Sequence, residues 1–425
     1  MEGGPARRRS RAGAALRGLA VDVKPLRASR DFRLLWAGLL VSETGHQFTI
    51  VATFIQVRLL THSTLAVGAI GLVGLIALAL GTLVGGQVLD LVDRRRLLIG
   101  AQFAYMTAAG VLLLGALAGT PPVWVVYAGV ALLSATSAID GPARNAMTPR
   151  LVGRDLVAAA AALNQIVWQG SSLVGPALAG IVIARLALAW AYGIDLVTYG
   201  AMLAAAVAIV PVPPERAPDA KTGWAAVREG FGYLRGRPVL SSTFLIDIIA
   251  MVFGMPRALF PFLAANRFHA GATVTGLLFA APAVGALVAA ATTGWVGRIR
   301  HQGAAVLWCV AIWGLGITAF GLVDSLWLAL LFLAVAGGAD VISAVFRNTI
   351  LQLSVPDALR GRVSGIHILV VTGGPRLGDL EAGVVASAFS PTFSVVSGGL
   401  LCVAGTAALA VLVPAFRRYH AGETA

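Results

Sequence analysis

The chain has 425 residues, of which 58% are hydrophobic and 12% are charged, and its formal net charge is +13. This composition excludes a soluble globular domain, in which about a quarter of the residues are charged. The basic excess also does not indicate a nucleic-acid partner, because beyond one N-terminal arginine cluster it is spread over short loops. Anchoring against anionic membrane lipid explains it better.

Residues 1–30 are predicted to form a disordered basic cytoplasmic tail, since they lack the apolar core of a signal peptide. Twelve long apolar stretches follow, and each can cross a hydrocarbon core of about 30 Å as a helix of about 20 residues. They lie at 34–60, 65–89, 97–118, 122–146, 157–183, 189–210, 239–263, 272–297, 304–322, 326–346, 363–388 and 392–415. The sequence therefore predicts an all-α membrane protein with twelve transmembrane helices.

Most of the 32 Lys and Arg residues lie before the first stretch, in every second connection, or after the last stretch. Arg58, Arg185 and Arg267 are the exceptions that lie in the other set of connections. By the positive-inside rule, this pattern predicts that both termini are cytoplasmic. The high Ala, Gly and Arg content suggests a bacterial source, so we expect a multi-pass protein of the bacterial inner (plasma) membrane.

The longest interior polar segment, residues 211–238, separates six stretches from six. It begins with prolines and continues as an amphipathic stretch from Trp224 to Leu234, which we expect to lie as a helix at the cytoplasmic interface. The predicted domains are an N-terminal six-helix bundle at 31–210, this linker, and a C-terminal six-helix bundle at 239–416. A cytoplasmic tail at 417–425 ends the chain.

The two halves resemble each other in sequence at a shift of 203 residues. Arg144-Asn145 then aligns with Arg347-Asn348, and three glycines of the fifth stretch align with three of the eleventh. The sequence therefore predicts two halves related by pseudo-symmetry. Parallel repeats of six spans usually place a substrate site between the halves, near the membrane midplane.

The loop after the second stretch contains a glycine pair, two aspartates and three consecutive arginines. It resembles the signature loop of the major facilitator superfamily, although Leu91 stands where that loop usually has an arginine. The resemblance implies a gate that closes the cytoplasmic side through helix contact and salt bridges. Its candidate residues are Gly86, Asp90, Asp93, Arg94, Arg95 and Arg96.

The fifth stretch contains small residues around a proline, which bends a helix and allows close helix crossing. It resembles the glycine–proline motif of antiporters in the same superfamily, and the candidate residues are Gly170, Gly175, Pro176 and Gly180. Nearly the whole chain after residue 25 is similar to bacterial enterobactin exporters and their drug-efflux relatives. Segments such as Arg257-Ala258-Leu259-Phe260-Pro261 carry this resemblance, which implies outward transport.

Charged and polar residues within apolar stretches are the candidate substrate and proton residues, because such groups are costly in a membrane without a partner or water. They are Glu43, His46, Gln47, Asp140, Asp247, Arg257, Asp340, Arg376, Asp379 and Glu381. Spacing allows Glu43, His46 and Gln47 to share one helix face. We hypothesise that Glu43, Asp379 and Glu381 bind protons, and that Arg257 favours an anionic substrate.

These features predict a secondary exporter that moves a small amphiphilic molecule, of siderophore or drug type, out of the cell by alternating access. No nucleotide-binding loop is found, so we expect proton antiport by a monomer without metal or cofactor. The expected partners are the substrate, membrane lipid and protons. The alternatives are a lysophospholipid or metabolite transporter of the same fold, or a non-transporting scaffold. Scattered histidines argue against an enzyme.

Overall fold

The computed structural model describes residues 22–211 and 224–420, and this part of the chain is built from helices without strands. The outer part of the basic tail, the start of the linker and residues 421–425 lie outside it. The long helices are α1 (Arg30–Thr61), α2 (Thr64–Leu91), α3 (Arg94–Leu117), α4 (Val123–Val152), α5 (Val157–Arg185), α6 (Leu188–Ala208), α7 (Pro238–Phe253, continuing as Phe260–Asn266), α8 (Ala272–Thr292), α9 (Gln302–Leu322), α10 (Leu326–Ser354), α11 (Asp357–Ala388) and α12 (Pro391–Leu412).

Ten segments of the described chain are long and apolar enough to cross a membrane by length and composition. The two long helices that do not meet this test are α1 and α11. Both contain polar and charged residues in mid-helix, which lower their mean hydropathy. Charged and polar side chains are costly in contact with lipid and are usually covered by protein or water. The polar faces of α1 and α11 are therefore expected to face the interior of the bundle.

Short polar residues begin several helices. Ser63 accepts a hydrogen bond from the backbone of Ala66 at the start of α2, and Asp93 accepts one from Arg96 at the start of α3. Ser390 does the same for α12. These caps satisfy N–H groups that have no partner within the helix.

Helix α7 is interrupted at residues 254–259, although the apolar stretch 239–263 suggested one continuous helix. Its first part ends at Phe253, with Gly254 as the C-cap, and a 3₁₀ turn of Arg257–Leu259 precedes the second part. Pro256 and Pro261 flank this turn, and proline cannot donate the backbone hydrogen bond that a continuous helix needs. The break therefore places Arg257 on irregular backbone within the bundle.

The two six-helix halves pack in the same way. In the first half α1 contacts α5 and α6, α3 contacts α4 and α6, and α2 contacts α4. In the second half α7 contacts α11 and α12, α9 contacts α10 and α12, and α8 contacts α10. Each half has its own large apolar core. This arrangement is the predicted fold of two pseudo-symmetric six-helix halves, and it is confirmed.

We call the end of the bundle with the start of α1 and the end of α12 the termini side, and the other end the opposite side. The halves meet where α2 packs on α11 and α5 packs on α8. Thr64, the first residue of α2, donates to the Gly383 carbonyl (3.2 Å), and the rings of Phe54 and Phe279 are 5.5 Å apart. These contacts lie towards the opposite side. Among the described residues, the side-chain and glycine contacts between the halves lie at the opposite side or in the middle of the bundle, which indicates a cleft between the halves at the termini side.

The linker helix, Trp224–Leu234, packs against α11 on the termini side. Its position follows the predicted amphipathic stretch, and it directly precedes α7. The short helix Lys24–Ala28 contacts α1 and α5 before the chain enters the bundle. Both short helices thus frame the termini side of the cleft.

Candidate functional site

An arginine of α4 organises the buried charges of the N-terminal half. Arg144 donates two hydrogen bonds of 3.3 Å to one carboxylate oxygen of Glu43 in α1, and lies 3.0 Å from Asp140, one turn earlier in α4. Asp140 also accepts a hydrogen bond from Gln102 of α3 (3.3 Å). The side chains of Glu43 and Arg144 are 22% and 20% exposed. We call Glu43, Asp140 and Arg144 the N-terminal cluster.

A second arginine has the equivalent place in the C-terminal half. Arg347 of α10 donates to Asp247 of α7 at 2.5 Å and lies 3.5 Å from Asp340. Arg347 and Asp247 are almost fully buried, whereas Asp340 is 31% exposed. We call these three residues the C-terminal cluster. In each half, therefore, one arginine contacts two carboxylates. One carboxylate lies on the same helix as the arginine, and the other lies on the first helix of that half.

The sequence pointed to the carboxylates of both clusters but not to Arg144 and Arg347 as their partners. Arg144 and Arg347 lie at the termini-side ends of the fourth and tenth stretches, where basic residues are common in a membrane protein. The available signal was the repeat itself, because Arg144-Asn145 and Arg347-Asn348 align between the halves. A charge kept at equivalent places near buried carboxylates indicates an ion pair inside each half.

The three polar residues of α1 contact three different helices. Glu43 contacts α4, the His46 ring nitrogen Nδ1 lies 2.8 Å from the Tyr199 hydroxyl of α6, and Gln47 packs against Gly175 of α5. Residues spaced by three and four positions spread over about 100° of a helix. Because α1 is surrounded by α4, α5 and α6, this arc is wide enough to reach all of them.

Arg257 and Asp379 form an ion pair at the break in α7. The guanidinium of Arg257 lies 2.8 Å from one Asp379 oxygen, and the other oxygen accepts the Ala258 backbone N–H (3.2 Å). Asp379 is 2% exposed, and its helix packs closely against α2 beside Gly71. In this conformation neither charge is free, so Arg257 does not offer a single positive charge to a substrate. The pair instead joins α7 to α11.

Arg376 lies one turn before Asp379 and has a different environment. Its guanidinium donates to the Thr372 carbonyl (2.7 Å), and no carboxylate of the described residues lies within ion-pair distance. The side chain extends from α11 towards Gly74 of α2 and Ser134 of α4. Arg376 therefore crosses from the C-terminal half to the wall of the N-terminal half. Glu381, further along α11, is partly buried and forms no hydrogen bond or ion pair within the described part of the chain.

The predicted gate residues lie at the termini side. The side chain of Asp90 and the surroundings of Gly86 are outside the described part of the structure. Asp93 caps α3, and Arg95 donates to the carbonyls of Ala206 and Val207 at the end of α6 (3.1 and 2.5 Å). Arg94 and Arg96 occupy the first turn of α3. In this conformation Arg95 therefore joins α3 to α6 within one half.

The residues of the α5 motif contact two different helices, α8 of the other half and α1 of the same half. A Cβ atom on Gly180 would lie 3.0 Å from the Cα of Gly276 in α8, and Pro176 lies at the same crossing. Gly175 instead faces Gln47 of α1, and a Cβ on Gly170 would meet open space. Pro176 and Gly180 thus allow the close contact between the halves at the opposite side.

Residues 20–422 match a protein family described as transmembrane secretion effectors. The enterobactin exporter EntS of Citrobacter koseri is 28% identical over 402 residues, which are 94% of this chain and 96% of that protein. The EntS protein of Shigella boydii is 27% identical over the same length.

Solved transporter structures share the fold at low sequence identity. A mutant of the nucleoside transporter NupG superposes with a TM-score of 0.72 at 13% identity, covering 91% of this chain and 99% of that one. A bacterial homologue of the lysosomal transporter Spinster, in an inward-facing and unoccupied conformation, has a TM-score of 0.67 at 15% identity, covering 91% and 96%.

Proposed function

Because the chain belongs to the transmembrane secretion effector family of the major facilitator superfamily, we propose that this multi-pass membrane transporter exports a small amphiphilic molecule in exchange for protons. The substrate class is that of siderophores and drug-like molecules. The relatives named enterobactin exporters make catechol siderophores the first substrates to test.

The observation that carries this proposal is the contact between Glu43 and Arg144. Both side chains are about one-fifth exposed, at mid-depth in helices that line the cleft. A carboxylate beside an arginine has two alternatives: it stays charged and paired, or it takes up a proton and releases the arginine. In this proposal Glu43 takes up a proton when the contact with Arg144 breaks and releases it when the contact forms again, which is what coupling to a proton gradient requires.

The distribution of basic residues supports a cytoplasmic termini side. With that orientation, the cleft is open to the cytoplasm, and the α2–α11 and α5–α8 contacts close the outer side. Substrate then enters from the cytoplasm, and the two contacts separate to release it outside. The pair of Arg257 and Asp379 stabilises the closed outer side, because it joins α7 to the helix that packs on α2.

Arg376 is the substrate-facing arginine of this proposal. It has no carboxylate partner in the described residues and lies where the two halves meet, so an acidic group of the substrate would complete its pairing. Glu381 has no cation partner there either, and it serves as the proton-binding carboxyl nearer the outer side. Asp140, Asp247 and Asp340 neutralise the two cluster arginines.

The test is transport by purified protein in liposomes that carry an imposed pH gradient, with enterobactin as the first probe and lipophilic antibiotics as the second. We expect substrate movement driven by the gradient and a matching proton movement. In Glu43→Gln the proton movement should be lost, because the amide cannot bind or release a proton. Asp155→Asn, at an exposed position in the connection between α4 and α5, is the control and should behave as wild type.

Three outcomes would contradict the proposal. Substrate movement at a rate that does not depend on the pH gradient would indicate a facilitator. Movement of lysophospholipid but not of either probe would favour the lipid transporter of the same fold. Unchanged coupling in Glu43→Gln, with the protein inserted at wild-type levels, would remove Glu43 from the mechanism.

A further inference from the structure

Helices α1 and α6 are joined by a series of polar side-chain pairs inside the N-terminal half. His46 pairs with Tyr199 (2.8 Å), Thr49 donates to Asp195 (2.5 Å), and the Tyr192 hydroxyl donates to Gln56 (2.7 Å). We call these three pairs the polar ladder. The two helices are antiparallel, so the ladder runs from the level of the cleft towards the opposite side.

Asp195 is the titratable residue of the ladder that the transport proposal does not use. Its side chain is fully buried, and no Lys, Arg or His of the described residues forms an ion pair with it. Its oxygens instead contact the hydroxyls of Thr49 and Thr198. A buried carboxylate without a counter-charge is costly. Asp195 is therefore a carboxyl group that can carry a proton and whose polar contacts among the described residues are hydroxyls rather than a counter-charge.

The helices around α6 place a short series of titratable groups between Asp195 and the cleft. Tyr199 follows Asp195 by one turn, and Tyr105 of α3 stacks on the Tyr199 ring with centroids 4.9 Å apart. On α1, Thr49 lies six residues beyond Glu43, or about 9 Å along the helix. His46 lies between them and contacts Tyr199. Asp195, Tyr199, His46 and Glu43 therefore follow one another through adjacent groups of two packed helices.

We propose that Asp195 is a second proton-binding site, and that the polar ladder passes protons between it and Glu43. This inference rests on the proposed proton-coupled function and adds a route within one half. A proton taken up by the Asp195 carboxyl from the opposite side moves by way of the Tyr199 hydroxyl and the His46 imidazole to Glu43. Binding there releases Arg144, which links the proton to the cleft.

No such ladder joins α7 to α12 among the described residues of the C-terminal half. With Asp247 taken as the equivalent of Glu43, the ladder positions of α1 correspond to Ala250, Phe253 and Phe260 of α7. All three are apolar, and Phe260 packs edge-on against Phe320 and Phe279. A polar series that only held two helices together would be expected in both halves. It is restricted to the half in which the carboxylate of the first helix is partly exposed, since Glu43 is 22% exposed and Asp247 only 3%. This restriction indicates a role in proton movement.

The first experiment measures proton binding directly and needs no substrate. Infrared difference spectra of the protein in liposomes, recorded between acidic and alkaline pH, report the carbonyl stretch of each protonated carboxyl group that titrates. We expect Asp195→Asn to remove one such band and Thr49→Val to shift the pH at which it titrates. The matched control is Asp155→Asn, at an exposed position outside the bundle, which should leave this band unchanged. The proposal would be overturned if the infrared difference spectrum of Asp195→Asn contained the same carboxyl bands as that of wild type.

The second experiment separates this inference from the proposed function. In liposomes with enterobactin, Asp195→Asn should lose proton-driven movement but retain exchange of enterobactin across the membrane without a gradient. Asparagine keeps the shape of the side chain and can accept the Thr49 hydrogen bond, so folding should be retained. Full coupling in Asp195→Asn, with wild type also coupled, overturns the ladder and leaves the antiporter intact. Absence of coupling in wild type overturns the proposed function instead.

Discussion

The two halves contain an arginine at equivalent positions, but its surroundings differ. In the N-terminal half, Arg144 pairs with Glu43, and both side chains are about one-fifth exposed. Asp140 pairs with Arg144 and accepts a hydrogen bond from Gln102. In the C-terminal half, Arg347 is 4% exposed, and one oxygen of its partner Asp247 is buried without any hydrogen bond in the described structure. The same arginine thus belongs to an accessible pair in one half and to a sealed pair in the other.

The difference extends along the first helix of each half. Helix α1 is continuous and carries the polar ladder, whereas α7 is apolar at the corresponding positions and breaks at residues 254–259. The break in α7 provides Arg257 for its pair with Asp379. The halves therefore differ in structure: the first contains the polar ladder, and the second contains the helix break and its ion pair.

The largest expected effect comes from removing the sealed arginine. Arg347→Met leaves Asp247 buried without a cation, and breaking a buried ion pair costs about 3–5 kcal/mol. Arg144→Met should cost less, because Gln102 still donates to Asp140 and Glu43 can reach water in the cleft. Thermal unfolding of the two purified variants, followed by tryptophan fluorescence, measures the difference. Equal losses of stability in the two variants would contradict the difference between the clusters. In a separate double variant, Asp247→Asn should recover part of the stability lost in Arg347→Met.

A smaller effect is expected from the pair that joins α7 to α11. Asp379→Asn removes one charge of an ion pair, and hydrogen bonds to charged groups contribute about 1.5–3 kcal/mol. If this pair breaks when the opposite side opens, the open population should rise by about tenfold or more, since tenfold corresponds to about 1.4 kcal/mol. Distances between spin labels at Leu186→Cys and Thr392→Cys, in a background without the native cysteines, report that opening.

The surface pair of Arg267 and Asp324 provides the control for this measurement. The Asp324 side chain is 90% exposed, and surface ion pairs contribute little to stability. Asp324→Asn should therefore leave the label distances unchanged. If Asp379→Asn gave the same distances as Asp324→Asn, the pair of Arg257 and Asp379 would not stabilise the closed side.

The smallest effect concerns the loop that follows the second helix of each half. Asp93 caps α3 in the first half, whereas His301 at the start of α9 forms no capping hydrogen bond. Asp93→Ala should lower the unfolding free energy by about 1 kcal/mol. His301→Asp should raise it by a similar amount, because an acidic cap also interacts well with a helix N-terminus. Chemical unfolding in detergent measures both changes, and stabilisation by Asp93→Ala would refute the capping argument.

The sequence predicted the fold because few kinds of secondary structure can cross a membrane. Each apolar stretch long enough to cross the hydrocarbon core must form a helix, since no water is present there to bind its backbone groups. The repeat of Arg144-Asn145 at Arg347-Asn348 indicated the two halves before any helix was placed. The break in α7 was not predicted, because hydropathy does not distinguish a helix from irregular apolar backbone.

The sequence also predicted that Asp140, Asp247 and Asp379 lie inside the helical bundle, because they occur within apolar stretches, and each is less than 5% exposed. It did not predict their partners. The pairing of Arg257 with Asp379, and of Glu43 with Arg144, joins residues more than a hundred positions apart on different helices. Asp195 was not among the predicted site residues at all, because it lies in an otherwise apolar helix with no neighbouring charge in sequence. Only the packing of α1 against α6 brings it to Thr49, since contacts between helices depend on their rotation and crossing, which a single sequence does not specify.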